Sequence, residues 1–295
     1  MSTKQALVLG AAGQLGKACM ACAPETVVAK GFSRVTCDVT DDAALRRVID
    51  DVDPQIVINA AANTAVDAAE DDPESADAVN ANAPAMLGAL CARRGLRLVH
   101  ISTDFIFDGR AHRPYAPAAD PAPLGVYGAS KWRGEQAVFA SGASHAVVRT
   151  SWVYGPGGRN FVLTMLRLMR EQGTVHVVND QIGSPTSVRG LAEICWLLAL
   201  NGDAGGVFHW SDTGAISWYD FACGIHDEAL ALGLLSTPAT IEPISTDAFP
   251  TKAQRPAYSV LDCSDTCSAL NVTQQPWRDA LREMLRSQQQ LEGTV

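Results

Sequence analysis

An apolar run, Ala6-Leu7-Val8-Leu9, passes directly into Gly10-Ala11-Ala12-Gly13-Gln14-Leu15-Gly16 and then into a segment of helical composition. Strand, glycine turn and helix start in that order make the opening unit of a parallel sheet, and they let backbone N–H groups at the helix N-terminus approach a phosphate. The spacing is G-x-x-G-x-x-G, so the loop alone also suits a tight turn with close helix packing. The strand and helix rhythm then repeats, with strands expected at residues 26–29, 56–59, 96–101 and 146–149. Such alternation predicts α/β architecture, a Rossmann-like doubly wound parallel sheet with a smaller C-terminal domain. Residues 1–152 are expected to form the sheet domain, with 186–210 returning to it. The rhythm changes after Tyr154-Gly155-Pro156, and 153–185 with 211–295 are expected to form the substrate-binding domain.

Composition narrows the partners. The 295 residues are 47% hydrophobic and 19% charged, enough apolar material for a sizeable core, and the net charge of -9 argues against nucleic acid or a polyanionic membrane. No apolar run is long enough for a membrane span, and the first five residues lead straight into a strand, so a cytoplasmic protein is expected. Cys19 and Cys22 have C-x-x-C spacing but fall in a helical segment, so the eight cysteines read as reduced thiols rather than metal ligands.

Chemistry concentrates at the ends of the strands, where ligands of open parallel sheets bind. A carboxylate expected about 20 residues after the glycine loop to bond the ribose hydroxyls of NAD is missing. Lys30, Ser33 and Arg34 stand there instead and suit a 2′-phosphate, which favours NADPH. A carboxylate at Asp38, beside Val39, reaches towards an adenine amino group. Ala60, Ala61 and Ala62 follow the third strand and let a flat ligand lie close to the backbone. Thr103 ends the fourth.

Tyr127 and Lys131 are four residues apart in a helical segment, hence on one face. A neighbouring ammonium favours a phenolate, so Lys131 is expected to lower the Tyr127 pKa for acid–base work. Arg110, His112 and Arg113 lie in a long loop expected to act as a cover. Trp152 offers a flat apolar wall to a sugar face, and Arg255 a guanidinium fork for a diphosphate.

With the glycine loop, Ser102-Thr103 and the Tyr127/Lys131 pair in this order, the chain resembles the extended short-chain dehydrogenase/reductase family. Within it, the likeness is to the branch acting on 4-keto sugars carried on thymidine diphosphate. The particular runs are Ser102-Thr103-Asp104-Phe105-Ile106-Phe107, Arg149-Thr150-Ser151-Trp152-Val153-Tyr154 and residues 59–67 and 179–186, and the likeness covers nearly the whole chain. It implies an oxidoreductase using NADPH, with NADH left open, on a dTDP-linked 4-keto-6-deoxy sugar. By the same resemblance Gly13, Gln14, Leu15, Asp38, Val39, Ala62, Asn63 and Thr64 match cofactor positions, and Thr103, Asp104 and Trp152 match substrate positions. Tyr127 would donate the proton, Lys131 would also hold the nicotinamide ribose, and Thr103 would bond the reacting oxygen. Some members bind magnesium through two glutamates at places that here hold Ala18 and Arg189, so no metal is expected, and a homodimer is left open. The alternatives are another 4-ketoreductase, a dehydratase or an epimerase of the family, or a non-catalytic regulatory subunit of the methionine adenosyltransferase type.

Overall fold

The computed structural model describes residues 3–293. Strands β1 (Lys4–Leu9), β2 (Val27–Phe32), β3 (Ile56–Asn59), β4 (Arg97–Thr103) and β5 (Ser144–Thr150) pair in parallel, and Gly206–Trp210 adds beside β5. The order across the sheet is Gly206–Trp210, β5, β4, β3, β1, β2. After β2 the chain crosses back to place β3 on the other side of β1. The switch opens a crevice at the carboxyl ends of β1 and β3, beside Gly10 and Ala60.

Helices cover both faces, which is why β3 is buried at every position and reads as apolar almost throughout. On one face, α1 (Gln14–Ala21) and a helix further along at Val188–Leu200 pack on Ala6, Val8, Ile56, Ile58 and Val148. On the other, α2 (Asp42–Val52) and two later helices meet the alternate residues Leu7, Leu9, Val57 and Leu98. Asp41 starts α2 by accepting from the N–H groups of Ala43 and Ala44. After β3 come α3 (Val66–Asp71), α4 (Pro73–Asp77), a π-helical turn (Ala78–Asn82) and α5 (Ala83–Arg94). Pro84 lies in the first turn of α5, directly after the π-turn, where the helical hydrogen-bond register is already interrupted. Helix α6 (Val126–Ala140) follows β4, and its first N–H bonds the Glu70 carboxylate at 2.8 Å.

A second core gathers α7 (Phe161–Gln172), α9 (Trp218–Ala231) and α11 (Trp277–Glu292) around Tyr154, Phe221 and Leu281, with α8 (Val188–Leu200) left to the sheet. Helix α10 (Ser264–Leu270) departs from the boundary expected at 211. Thr266 donates to the His209 carbonyl at 2.8 Å, and Cys267 and Leu270 pack against the sheet core. The long loop is not a cover either. Tyr115 pairs its backbone with Val260 and Asp262, its ring stacks on Phe107 at 4.2 Å, and Arg110, His112 and Arg113 face solvent.

Candidate active site

Three glycines shape the crevice. Gly10 has φ +77°, and a Cβ there would lie 2.7 Å from the Ala61 nitrogen, so only glycine lets β1 turn against the end of β3. A Cβ on Gly16 would meet the Gly10 carbonyl at 2.2 Å, which brings α1 hard against the loop. Gly13 is the N-cap of α1 and no side chain caps that end, leaving N–H groups of the first turn for an anion. Together these form a cradle of backbone N–H groups open to an anion.

A cavity of about 670 Å³ extends from this cradle and is lined by Gly10, Gly13, Ser33, Arg34, Asp38, Val39 and the run from Ala60 to Thr64. The Asp38 carboxylate accepts from Thr40 N at 3.0 Å and Thr40 Oγ1 at 2.7 Å, and these bonds hold it below the usual carboxylate range. Arg34 stands 3.5 Å from it with 87% of its side chain exposed.

The structure does not bring every expected residue here. Strand β2 runs to Phe32, so Lys30 lies inside an edge strand, exposed and away from the lining. Leu15 is in the sheet core, while Gln14 turns to the second unit, accepting from Asn160 Nδ2 at 2.7 Å and donating to the Arg159 carbonyl at 3.2 Å. Ser75, Ala78 and Val79 also line the cavity, although nothing in their local sequence marks them. Asn80 was equally silent. It is 1% exposed, pairs with both backbone groups of Asn63 at 2.9 Å, and donates to Ser130 Oγ at 3.1 Å, tying the cavity wall to α6.

The chemical groups stand at the end of β4. A Cβ on Gly128 would be 2.1 Å from the Phe105 carbonyl, so its absence lets α6 press onto the turn after β4 and carries Tyr127 to Thr103. Thr103 accepts from Phe105 N at 3.2 Å and donates to Asp104 Oδ1 at 3.0 Å. Burial pushes Tyr127 up to about 12, with Asp104 adding to the rise and Thr103 opposing it. Asp104, 1% exposed, is pushed up to about 6 by the same desolvation. Lys131 is pushed down to about 8 by burial, against the pull of Glu135, and donates to the Ile101 carbonyl at 2.6 Å.

The expected lowering of the phenol by Lys131 is therefore corrected: burial raises Tyr127, and Lys131 is not among the groups that act on it, so the phenol keeps its proton. A proton donor needs that form.

Two substrate-side expectations change character. Trp152 adopts φ +47° and stacks on Trp218 with centroids 3.5 Å apart, so one face of the expected wall is already taken. Arg255 is not a free fork, since Nη2 pairs with Asp67 Oδ2 at 2.7 Å. Ala18 and Arg189 line a separate cleft of about 390 Å³, where Arg189 pairs with Glu193 at 3.2 Å and faces Glu283 at 3.9 Å. Neither an alanine nor a guanidinium is an oxygen ligand, and the two carboxylates that do line this cleft, Glu193 and Glu283, face the Arg189 cation. No cluster of three or more acidic, His or Cys side chains that could hold a metal occurs among the described residues.

Comparison with known proteins agrees with this geometry. The RmlD substrate binding domain family matches residues 4–290. A dTDP-4-dehydrorhamnose reductase of Mycobacterium tuberculosis (strain CDC 1551 / Oshkosh) is 42% identical, covering 96% of this chain and 93% of its own. One of Aggregatibacter actinomycetemcomitans is 36% identical over 94% and 97%. The crystal structure of dTDP-4-dehydrorhamnose reductase from Bacillus anthracis str. Ames in complex with NADP superposes with a TM-score of 0.91 at 34% identity, covering 97% of this chain and 99% of that one. A glycine cradle at the switch of a six-stranded parallel sheet, a buried Thr/Tyr/Lys group beside it and likeness along almost the full length lead to one conclusion: the chain belongs to the dTDP-4-dehydrorhamnose reductase family.

Proposed function

We propose that the chain reduces the C4 ketone of dTDP-4-dehydro-L-rhamnose to dTDP-L-rhamnose, using NADPH, with Tyr127 as proton donor. The observation that carries the reading is the buried Tyr127 of α6 at the carboxyl end of β4, with Asn80 and Ser130 joining that helix to the wall of the glycine-lined cavity. NADPH, when bound, supplies the hydride. Tyr127 has a proton to give to the carbonyl oxygen as it turns negative, because an alkoxide is a far stronger base than a phenolate. Thr103 adds a hydrogen bond to that oxygen. Lys131, one helical turn on, offers a positive charge to the phenolate left behind and a donor to the nicotinamide ribose. Phe105 packs edge-on against Tyr127 at 5.5 Å, where a dehydratase would need a second acid.

On this reading the sheet unit holds the cofactor and the second core the sugar. Gln14, bonded to residues 159 and 160, joins the two. Arg255 exchanges Asp67 for the diphosphate, and Trp152 with Trp218 walls the sugar. No metal takes part. Eight free cysteines suit a reducing compartment, and no helix among the described residues is long and apolar enough to cross a membrane, which supports a cytoplasmic location.

The test is the fall of NADPH absorbance on adding dTDP-4-dehydro-L-rhamnose in buffer containing a chelator. Sugar-dependent oxidation supports the reading, and silence with both NADPH and NADH sinks it. Two further results are expected. Below pH ~8 Lys131 keeps its proton and above it the charge is lost, so log kcat/KM falls with a slope near -1 on the alkaline side; a profile flat to pH ~9.5 would show that the charge is not needed. Replacing Arg34 with alanine raises the KM for NADPH by about 10-fold and leaves NADH nearly unaffected, since only the former carries the extra phosphate. Equal effects on both cofactors would remove Arg34 from phosphate recognition.

A further inference from the structure

Helix α6 places Tyr127, Lys131 and Glu135 at four-residue intervals, hence on one face, and all three are buried. Glu135 is 0% exposed, and Arg149 on β5 grips it through Nε at 3.1 Å to both carboxylate oxygens and Nη2 at 2.7 Å to one. The rest of the guanidinium is also engaged: Nη1 donates to the Pro117 carbonyl at 2.9 Å and lies 3.4 Å from His209 Nε2. The reaction described above uses neither partner. A buried ion pair stabilises a fold little compared with apolar residues of the same size, so stability alone is a poor reason for this one.

We propose that Glu135 is a positioning residue of the reductase site: its carboxylate, fixed by Arg149, keeps Lys131 charged in an interior that would otherwise neutralise it. The inference rests on the reductase reading for its effect on turnover. The groups around Lys131 leave this role to Glu135. On α6 itself, Tyr127 is neutral. From β4 come the Ile101 carbonyl, which accepts from the ammonium, and His100, which burial and Lys131 keep uncharged. Asp104, at the turn after β4, acts on Tyr127. Arg149, from β5, is paired with Glu135, and its own charge offsets part of the carboxylate's field at Lys131. The anion one turn from the ammonium is Glu135, and it opposes the burial that draws Lys131 down. At low local dielectric a buried charge one helical turn away acts without direct contact.

The experiment compares kcat/KM from pH 6 to 10 for the wild type, Glu135→Gln, and the double variant Glu135→Gln/Arg149→Gln, which leaves no unpaired guanidinium. The alkaline limb is expected to move down by about one pH unit in Glu135→Gln, with a loss near 10-fold at pH ~8.5 and much less at pH ~6, and by a smaller amount in the double variant, which also removes the opposing guanidinium. Glu135→Asp, keeping the charge, is expected to restore the limb in part. A purely structural pair would lower kcat/KM equally at every pH and leave the limb in place, which would overturn the proposal. The Lys131 side-chain resonance, assigned with Lys131→Met and titrated by NMR, reads the same shift without turnover. An inactive wild type would count against the reductase reading, whereas an unmoved Lys131 titration in folded Glu135→Gln would count against Glu135.

Discussion

Tyr127→Phe is expected to reduce kcat by about 10²- to 10⁴-fold while NADPH affinity stays within a factor of about three. The substitution removes one oxygen. The ring keeps its edge contact with Phe105, and Thr103 keeps its bonds to Asp104 and the Phe105 N–H, so the shape of the site survives. What is lost is the proton. Burial holds the Tyr127 phenol near 12 and therefore loaded at neutral pH, whereas the neighbouring carboxyl, Asp104, sits near 6 and is mostly ionised there. Single-turnover absorbance of NADPH with the sugar, and fluorescence titration of NADPH without it, separate chemistry from binding. A variant that kept more than about a tenth of wild-type turnover would move the donor role elsewhere, with Asp104 first in line and an acid-shifted profile as its mark.

Gly10→Ala is expected to weaken NADPH binding by about 30- to 1,000-fold, the equivalent of roughly 2–4 kcal/mol, and to lower thermal stability as well. Two costs add at this position. The backbone has φ +77°, where an L side chain is strained, and the new Cβ would lie 2.7–2.8 Å from the backbone of Ala60 and Ala61. Relief requires the loop and the end of β3 to separate, and both line the same cavity. Calorimetric titration of NADPH together with a melting curve decides the outcome. Unchanged affinity would mean that the crevice between β1 and β3 does not hold the cofactor. Gly95, at φ +65° with nothing within 4 Å of an added Cβ, is a control for the conformational cost alone.

Much of the fold was legible because it rests on local signals. The parallel strands are apolar runs between helices, and the glycine loop declares its own turn. The pair Tyr127/Lys131 is readable because helical spacing alone puts both on one face, and the residues around Thr103 mark a strand end. The errors have equally local causes. Strand β2 was cut short at Ala29, since Lys30 and Gly31 are poor strand residues by themselves, yet pairing with Leu7 and Val8 carries the strand to Phe32. That one extension removes Lys30 from the cofactor loop.

Sequence by itself determined the architecture, the glycine turn, the shared helix face of Tyr127 and Lys131 and the family, all of which depend on spacing over a few residues or on a pattern spread along the whole chain. Tertiary structure alone decided partners and protonation. Arg255 finds Asp67 across 188 positions, Asn80 finds Ser130 across 50, and Glu135 finds Arg149 across 14. The Tyr127 phenol is raised rather than lowered because α6 buries it against the turn after β4. Desolvation is set by what surrounds a group in space, and neighbours that distant in the chain leave no local trace for periodicity or spacing to read.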